Sequence, residues 1–262
     1  MTGEAAVRLN KYSEVRESIY GKHVRSSDML LTGLIYGCTA VSLLILVGIL
    51  GYTFVRGIPH VTWSFLSTAS SAVKGTFGIL GNIINTIYIV VITLLIATPI
   101  GVGSAVYLNE YAKPGKIVRM IEFTTETLSG IPSIIFGLFG MVFFGNTIGL
   151  GYSILTGSLT LTLMILPLIT RTTQEALKTV PDSYRHGALG IGATKWYMIR
   201  TILLPSAMPG IVTGVILAIG RIVGESAALL FTAGSGYYLP KNILGKIFES
   251  GGTLTIQLYL FM

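Results

Sequence analysis

Three long runs without a charged side chain dominate this sequence: residues 29–55, 75–109 and 127–170. A helix rises about 1.5 Å per residue and the hydrocarbon core of a bilayer is about 30 Å thick, so about 20 apolar residues span it. Only 11% of the residues are charged, whereas a typical soluble domain has about 25%. The chain is therefore predicted to be an all-α, polytopic membrane protein.

The apolar runs provide five predicted spans: 29–55, 83–108, two within 127–170, and 206–232. A bend is expected at Pro99, and the glycine-rich stretch 145–151 offers the turn between spans three and four. Arg221 and Glu225 alone interrupt span five. The final apolar run, 254–262, is too short to cross, so we expect it to begin a sixth helix in a chain truncated relative to related proteins.

Lysine and arginine concentrate in alternate connecting segments, and such residues favour the cytoplasmic side of a membrane. The segments rich in them contain Arg8, Lys11, Arg16, Lys22, Arg25, Lys113, Lys116, Arg119, Arg171, Lys178, Arg185, Lys195 and Arg200. The remaining loops contain only Arg56, Lys74, Lys241 and Lys246. We therefore expect a plasma-membrane protein with a cytoplasmic tail at 1–28, an extracytoplasmic loop at 56–81 and a cytoplasmic loop at 171–204.

Composition also limits the ligands of this chain. The net charge of +7 is spread over these loops, so it does not indicate a nucleic-acid-binding surface, and no nucleic-acid partner is expected. Cys38 and the three histidines, His23, His60 and His186, show no metal-ligand spacing. We expect no metal and no cofactor bound by this chain.

The polar loop 171–204 is predicted to form two short helices. Pro181 suits the start of the first helix, and Gly192 ends it. Thr194 is placed to cap the second helix, which Pro205 is expected to stop. A surface hairpin that merely joins two spans is the alternative interpretation.

The spacing in this loop resembles the signature of importer permeases of the ABC transporter superfamily: Glu-Ala-Ala, three residues, Gly, nine residues, Ile, any residue, Leu-Pro. The matching stretches are His186-Gly187-Ala188, Gly192 and Ile202-Leu203-Leu204-Pro205. His186 and Gly187 differ from the first two letters. The resemblance implies a type I importer transmembrane fold over 82–262 and an ATPase groove that receives residues 182–193.

Small side chains in this loop permit close approach of a partner. They belong to Gly187, Ala188, Gly192 and Ala193. The chain contains no Gly-x-x-x-x-Gly-Lys-Ser/Thr phosphate loop, so ATP and Mg are expected on the partner ATPase and this chain is not expected to be an enzyme.

Further stretches are similar to the PstA-type permease of the bacterial phosphate importer. They are Asn85-Thr86-Ile87-Tyr88, Pro99-Ile100-Gly101, Tyr107-Leu108-Asn109-Glu110-Tyr111, Ser129-Gly130-Ile131-Pro132-Ser133, Phe136-Gly137-Leu138-Phe139-Gly140, Arg221-Ile222-Val223-Gly224-Glu225-Ser226-Ala227 and Leu229-Leu230-Phe231-Thr232-Ala233. The resemblance implies a PstC-type permease, a PstB-type ATPase dimer, a PstS-type phosphate-binding protein and membrane lipid as partners. A permease for another oxyanion, molybdate or sulfate, is the alternative.

Four polar residues are candidates for the solute pathway. The spacing of Arg221 and Glu225 predicts one helical face, where they can pair. Their alternative role is a structural pair, helped by close packing at Gly220 and Gly224. The hydroxyls of Ser129 and Ser133 are predicted to donate to phosphate oxygens, and the alternative there is a proline-bent helix with small residues for packing.

Two other classes of function remain alternatives. An intramembrane protease needs a Ser/His or paired-Asp constellation within the membrane, and the five predicted spans contain no His or Asp. A non-transporting membrane scaffold would need neither an intramembrane charge nor a partner ATPase.

Overall fold

The computed structural model describes residues 26–71, 75–239, 242 and 245–261. These residues form two compact units, of which the first ends at Thr62 and the second begins at Trp63. In the first unit, helix α1 (Ser26–Gly57) is followed by a 3-10 turn (Ile58–His60). Its apolar side chains are exposed, with Leu44 at 71%, as is its free cysteine, Cys38. Helix α1 matches the first predicted span. Most of the predicted tail lies outside the described residues. Lys74 and Lys241 of the predicted extracytoplasmic loops also lie outside them.

The regular structure of the second unit, in the residues described, is helical apart from one short hairpin. Strands β1 (Ala69–Ser71) and β2 (Thr76–Ile79) pair antiparallel, with Ala69 opposite Ile79. The α-helices are α2 (Trp63–Ser67), α3 (Leu80–Val106), α4 (Lys116–Ser129), α5 (Ser133–Gly140), α6 (Ile154–Lys178), α7 (Asp182–Gly190), α8 (Lys195–Met198), α9 (Leu204–Gly224), α10 (Ala227–Thr232) and α11 (Leu254–Phe261). Wide π-helical turns follow α3 (Tyr107–Tyr111), α5 (Met141–Thr147) and α8 (Ile199–Leu203), and a 3-10 turn (Gly245–Phe248) precedes α11.

The packing of α3 against α6 forms the centre of this unit. Side chains such as Ile89, Leu161 and Ile165 are completely buried there. Gly101 allows the close approach, because a Cβ atom at this position would lie 2.8 Å from Cγ2 of Ile169. The two helices are therefore fixed along their length by apolar packing rather than by charge.

One end of this core is closed by the segment between α10 and α11. Asn82 donates from Nδ2 to the carbonyl oxygen of Gly252 at 3.0 Å, and Asn85 donates to that of Gly236 at 3.0 Å. Both asparagines are buried. Since buried amides need partners, these bonds hold the irregular segment against the start of α3.

The connection after the second predicted span is a helix rather than the expected loop. Helix α4 is amphipathic and meets the helical segment Ser133–Thr147 at 101°. The break lies at Pro132, which has no N–H group and disfavours helical conformation at Ile131. The apolar segment after the break, 133–147, is about 22 Å long at about 1.5 Å per residue, which is shorter than the hydrocarbon core of a bilayer.

The span count depends on this bent pair. Among the described residues, four helices are long and apolar enough to cross a membrane, and a fifth span is reached if α4 and the segment Ser133–Thr147 count as one. The helical start predicted for the last apolar run is present as α11. The fold is thus the predicted all-α, polytopic one.

The fifth predicted span is wrong at both ends. A continuous helix runs from Lys195 to Gly224, so Pro205 does not stop it. Pro205 has no backbone N–H to donate to the preceding turn. The π-helical turn just before it has a wider backbone, which accommodates the proline within the helix. At the other end Glu225 is extended, with φ −80° and ψ 123°, which ends α9 well before Thr232.

Candidate functional site

The predicted helical hairpin in the polar loop is present, with different limits. Helix α6 continues to Lys178, so only a short connection precedes α7. Gly192 ends the α7 turn with φ +86°, a conformation that favours glycine. Thr194 caps α8 as predicted, because its Oγ1 accepts from the N–H of Tyr197 at 3.3 Å.

Helix α7 has one buried face and one exposed face. Ala188 is only 4% exposed and packs in an apolar cluster with Leu177 and Met198. It therefore packs inside this chain, and the expectation that it offers a surface to a partner is wrong. Gly187 faces open space, since a Cβ atom there would meet no atom of the described chain within 4 Å.

The other residues predicted for the coupling loop divide in the same way. His186, Gly192 and Pro205 are exposed. Ala193 and Leu204 are half-buried and pack against the apolar cluster. The part of the predicted docking surface that stays exposed is thus one face of α7 with its following turn. This exposed face is centred on Gly187.

A buried ion pair that sequence analysis missed attaches α7 to the rest of the unit. Arg185 donates from Nη2 and Nε to Glu110 Oε1 at 3.0 and 3.2 Å. It also donates to Asp182 Oδ1 at 3.0 Å, to the Val180 carbonyl at 2.8 Å and to the Leu177 carbonyl at 2.9 Å. The side chains of Arg185 and Glu110 are 17% and 5% exposed. This network joins α7, the end of α6 and the turn after α3.

The π-helical turn Tyr107–Tyr111 is contacted from a second side. The Lys195 ammonium lies 5.0 Å from the centroid of the Tyr111 ring, within the range of a cation–π interaction. Asn109 also donates to Glu110 Oε1, at 2.7 Å. The available sequence signal was that Glu110 is the first charged residue after the run 75–109.

Arg221 and Glu225 do not pair as predicted. Glu225 lies beyond the end of α9, and its Oε1 accepts from the N–H of Ala228 at 3.1 Å, which caps α10. Arg221 is half-buried in the last turn of α9. Within the described part of the chain its guanidinium makes no hydrogen bond or ion pair. Its N–H donors are therefore free of the described residues.

The described residues of this unit do not make the close packing predicted at Gly220 and Gly224. A Cβ atom added to either glycine would meet no atom of the described chain within 4 Å. The structural-pair alternative for Arg221 and Glu225 therefore lacks both its ion pair and its packing in the part of the chain that the structure describes.

Ser129 and Ser133 lie on either side of the α4–α5 break. The Ser129 hydroxyl donates to the Thr125 carbonyl at 3.0 Å and is exposed. Ser133 is half-buried in the first turn of α5. The nearby cavity of about 510 Å³ has a mostly apolar wall that includes Leu128 and Phe136, and none of the four predicted pathway residues lines it.

Comparison with known proteins places the chain in a family. The family described as "Binding-protein-dependent transport system inner membrane component" matches residues 97–262. The Bacillus subtilis protein "Probable ABC transporter permease protein YqgI" is 43% identical over 79% of this chain and 71% of its own length. "Phosphate transport system permease protein PstA" of Haemophilus influenzae is 35% identical over 84% of this chain and 77% of its own length.

The fold has a counterpart among solved structures. An inward-facing structure of the MetNI methionine ABC transporter has a TM-score of 0.50 at 22% identity, covering 70% of this chain and 78% of that chain. At this identity the likeness concerns the fold alone. The family match and the two sequence relatives show that the chain belongs to the inner-membrane permease family of binding-protein-dependent ABC transporters.

Proposed function

We propose that this chain is a permease subunit of an ATP-driven importer of inorganic phosphate. The observation that carries the proposal is its similarity to several permeases named for phosphate transport, from different bacteria. The YqgI relative carries no substrate in its name, so the substrate is inferred from side-chain chemistry as well.

Arg221 has side-chain chemistry that suits a phosphate ion. A guanidinium presents paired N–H groups that match two oxygens of a phosphate. Arg221 is half-buried and keeps these donors free within the described chain, while Glu225 is occupied in capping α10. We therefore assign Arg221 the role of offsetting the desolvation of a passing anion. Ser129 and Ser133 are the weaker pathway candidates, because Ser129 already donates to its own helix.

The energy is proposed to come from separate subunits. The complex would contain a PstC-type permease, a PstB-type ATPase dimer that binds ATP and Mg, and a PstS-type phosphate-binding protein. The exposed face of α7 around Gly187 is the proposed contact with the ATPase, because its bare backbone allows a partner to approach closely.

Substrate identity is tested by transport in proteoliposomes that contain this chain with its partner subunits and binding protein. We expect ATP-dependent uptake of radiolabelled phosphate that excess sulfate or molybdate does not reduce. Uptake of sulfate or molybdate in place of phosphate would favour the alternative oxyanion permease. Absence of any ATP-dependent uptake by an assembled complex would favour the scaffold alternative.

The membrane orientation gives a second prediction. In a Cys38→Ala background, single cysteines at Lys113 and Lys178 are expected to react only after permeabilisation. Cysteines at Ile148 and Asn242 should react with an impermeant maleimide from outside. All four positions are exposed in this unit. Labelling of the Lys178 position in intact cells would contradict a cytoplasmic α7 and, with it, the contact with an ATPase.

A further inference from the structure

We propose that the Arg185–Glu110 pair is the strut through which movement of α7 is transmitted to α3. The proposal deepens the proposed function and rests on it, since it assumes that an ATPase moves α7. Arg185 and Glu110 are positioning residues in this scheme. They touch neither substrate nor ATP, and act by making α7 and the end of α3 move together.

The hydrogen-bond geometry of Arg185 supports a rigid link. A guanidinium has five N–H donors in a fixed planar arrangement. Five hydrogen bonds leave this one. Two go to Glu110, and the other three go to α7, to the end of α6 and to the short connection between them. With every donor engaged, a displacement of α7 that preserves these bonds carries Glu110 with it.

Burial makes the link specific. The Glu110 carboxylate is only 5% exposed, so water cannot replace the guanidinium as its partner, and an unpaired charge there is costly. By contrast, the Arg171–Glu126 pair between α6 and α4 is 57% and 68% exposed. Exposed pairs of this kind contribute little, which makes Glu126 the matched control.

Glu110 also lies where a movement of α7 can be passed to the membrane-spanning helices. It lies in the π-helical turn that directly continues α3, and α3 packs along α6 at the centre of the unit. Such wide turns concentrate at functional sites. Lys195, at the start of the α8–α9 helix, contacts Tyr111 of the same turn, so both helices of the hairpin meet this one segment.

The test compares Arg185→Gln, Glu110→Gln and the control Glu126→Gln in the assembled complex. Glutamine at 110 keeps an acceptor oxygen, so this variant is the milder one. We expect both strut variants to assemble and hydrolyse ATP while the phosphate moved per ATP hydrolysed falls about tenfold, within the usual range of coupling between sites. The Glu126→Gln complex is expected to match the wild type.

A second readout does not depend on the substrate. A cysteine at Ser104 on α3, in the Cys38→Ala background, is labelled with and without ATP and vanadate. We expect the ATP-dependent change in labelling rate to be lost in Glu110→Gln. If wild type carries no phosphate, the proposed function fails while this readout still tests the strut. Unchanged coupling in both strut variants, or failure of both to assemble, would overturn the proposal. If only Arg185→Gln fails to assemble, the transport per ATP and the labelling of Glu110→Gln decide whether the proposal holds.

Discussion

Arg221→Gln is expected to give a complex that assembles and hydrolyses ATP but imports phosphate at least about tenfold more slowly, because hydrogen bonds to a charged group contribute about 1.5–3 kcal/mol each. Arg221→Lys should retain part of the activity, since it keeps the charge but loses the paired donors. Uptake of radiolabelled phosphate, ATP hydrolysis and co-purification of the subunits are the measurements.

The control for this prediction is Arg119→Gln, which removes an exposed arginine of α4 and should not slow uptake. Wild-type transport by Arg221→Gln would exclude a pathway role. A loss of uptake that only follows from failed assembly would instead assign Arg221 to the structure of α9, where a cation in the last turn is favoured by the helix dipole.

The same site allows a separate test of Glu225. Glu225→Gln keeps the oxygen that caps α10 but removes the negative charge beside the proposed anion path. If that charge prevents phosphate from binding too tightly, the variant should show a lower KM together with a lower maximal rate of uptake. An unchanged KM and rate would leave Glu225 with the capping role alone.

Much of this fold could be predicted because apolar length and capping are local properties. The run 29–55 became α1, Pro181 marked the start of α7, and Thr194 caps α8 as expected. Helix α4 was missed because its apolar and charged residues alternate with helical period and form no long apolar run. Its amphipathic pattern around Ile117, Ile121 and Glu122 was the signal available.

The functional geometry was harder to predict because it depends on where helices end and on contacts between distant segments. The spacing of Arg221 and Glu225 fits one helical face only if the helix continues, and the extended backbone at Glu225 ends it. Arg185 and Glu110 are 75 positions apart. No local pattern reports such a pair, although a charge directly at the end of an apolar run is a reason to look for its partner.

Gly187→Leu is expected to abolish phosphate uptake by preventing the ATPase from approaching α7. Gly187 lies inside the helix, and its Cβ position is open in the described chain, so the larger side chain is accommodated without strain in this subunit. The variant should insert normally, and the ATPase should no longer co-purify with it. Quantitative co-purification, with uptake measured in parallel, checks both parts of this expectation.

Two matched variants separate docking from local folding. Gly187→Ala should keep uptake and stabilise α7 by about 0.5–1 kcal/mol, because alanine loses less backbone entropy in a helix than glycine does. Gly192→Ala should harm the protein despite its small size, since Gly192 has φ +86° and a side chain there is strained even in open space. A Gly187→Leu complex that retains its ATPase and imports phosphate at the wild-type rate would remove the exposed face of α7 from the coupling interface.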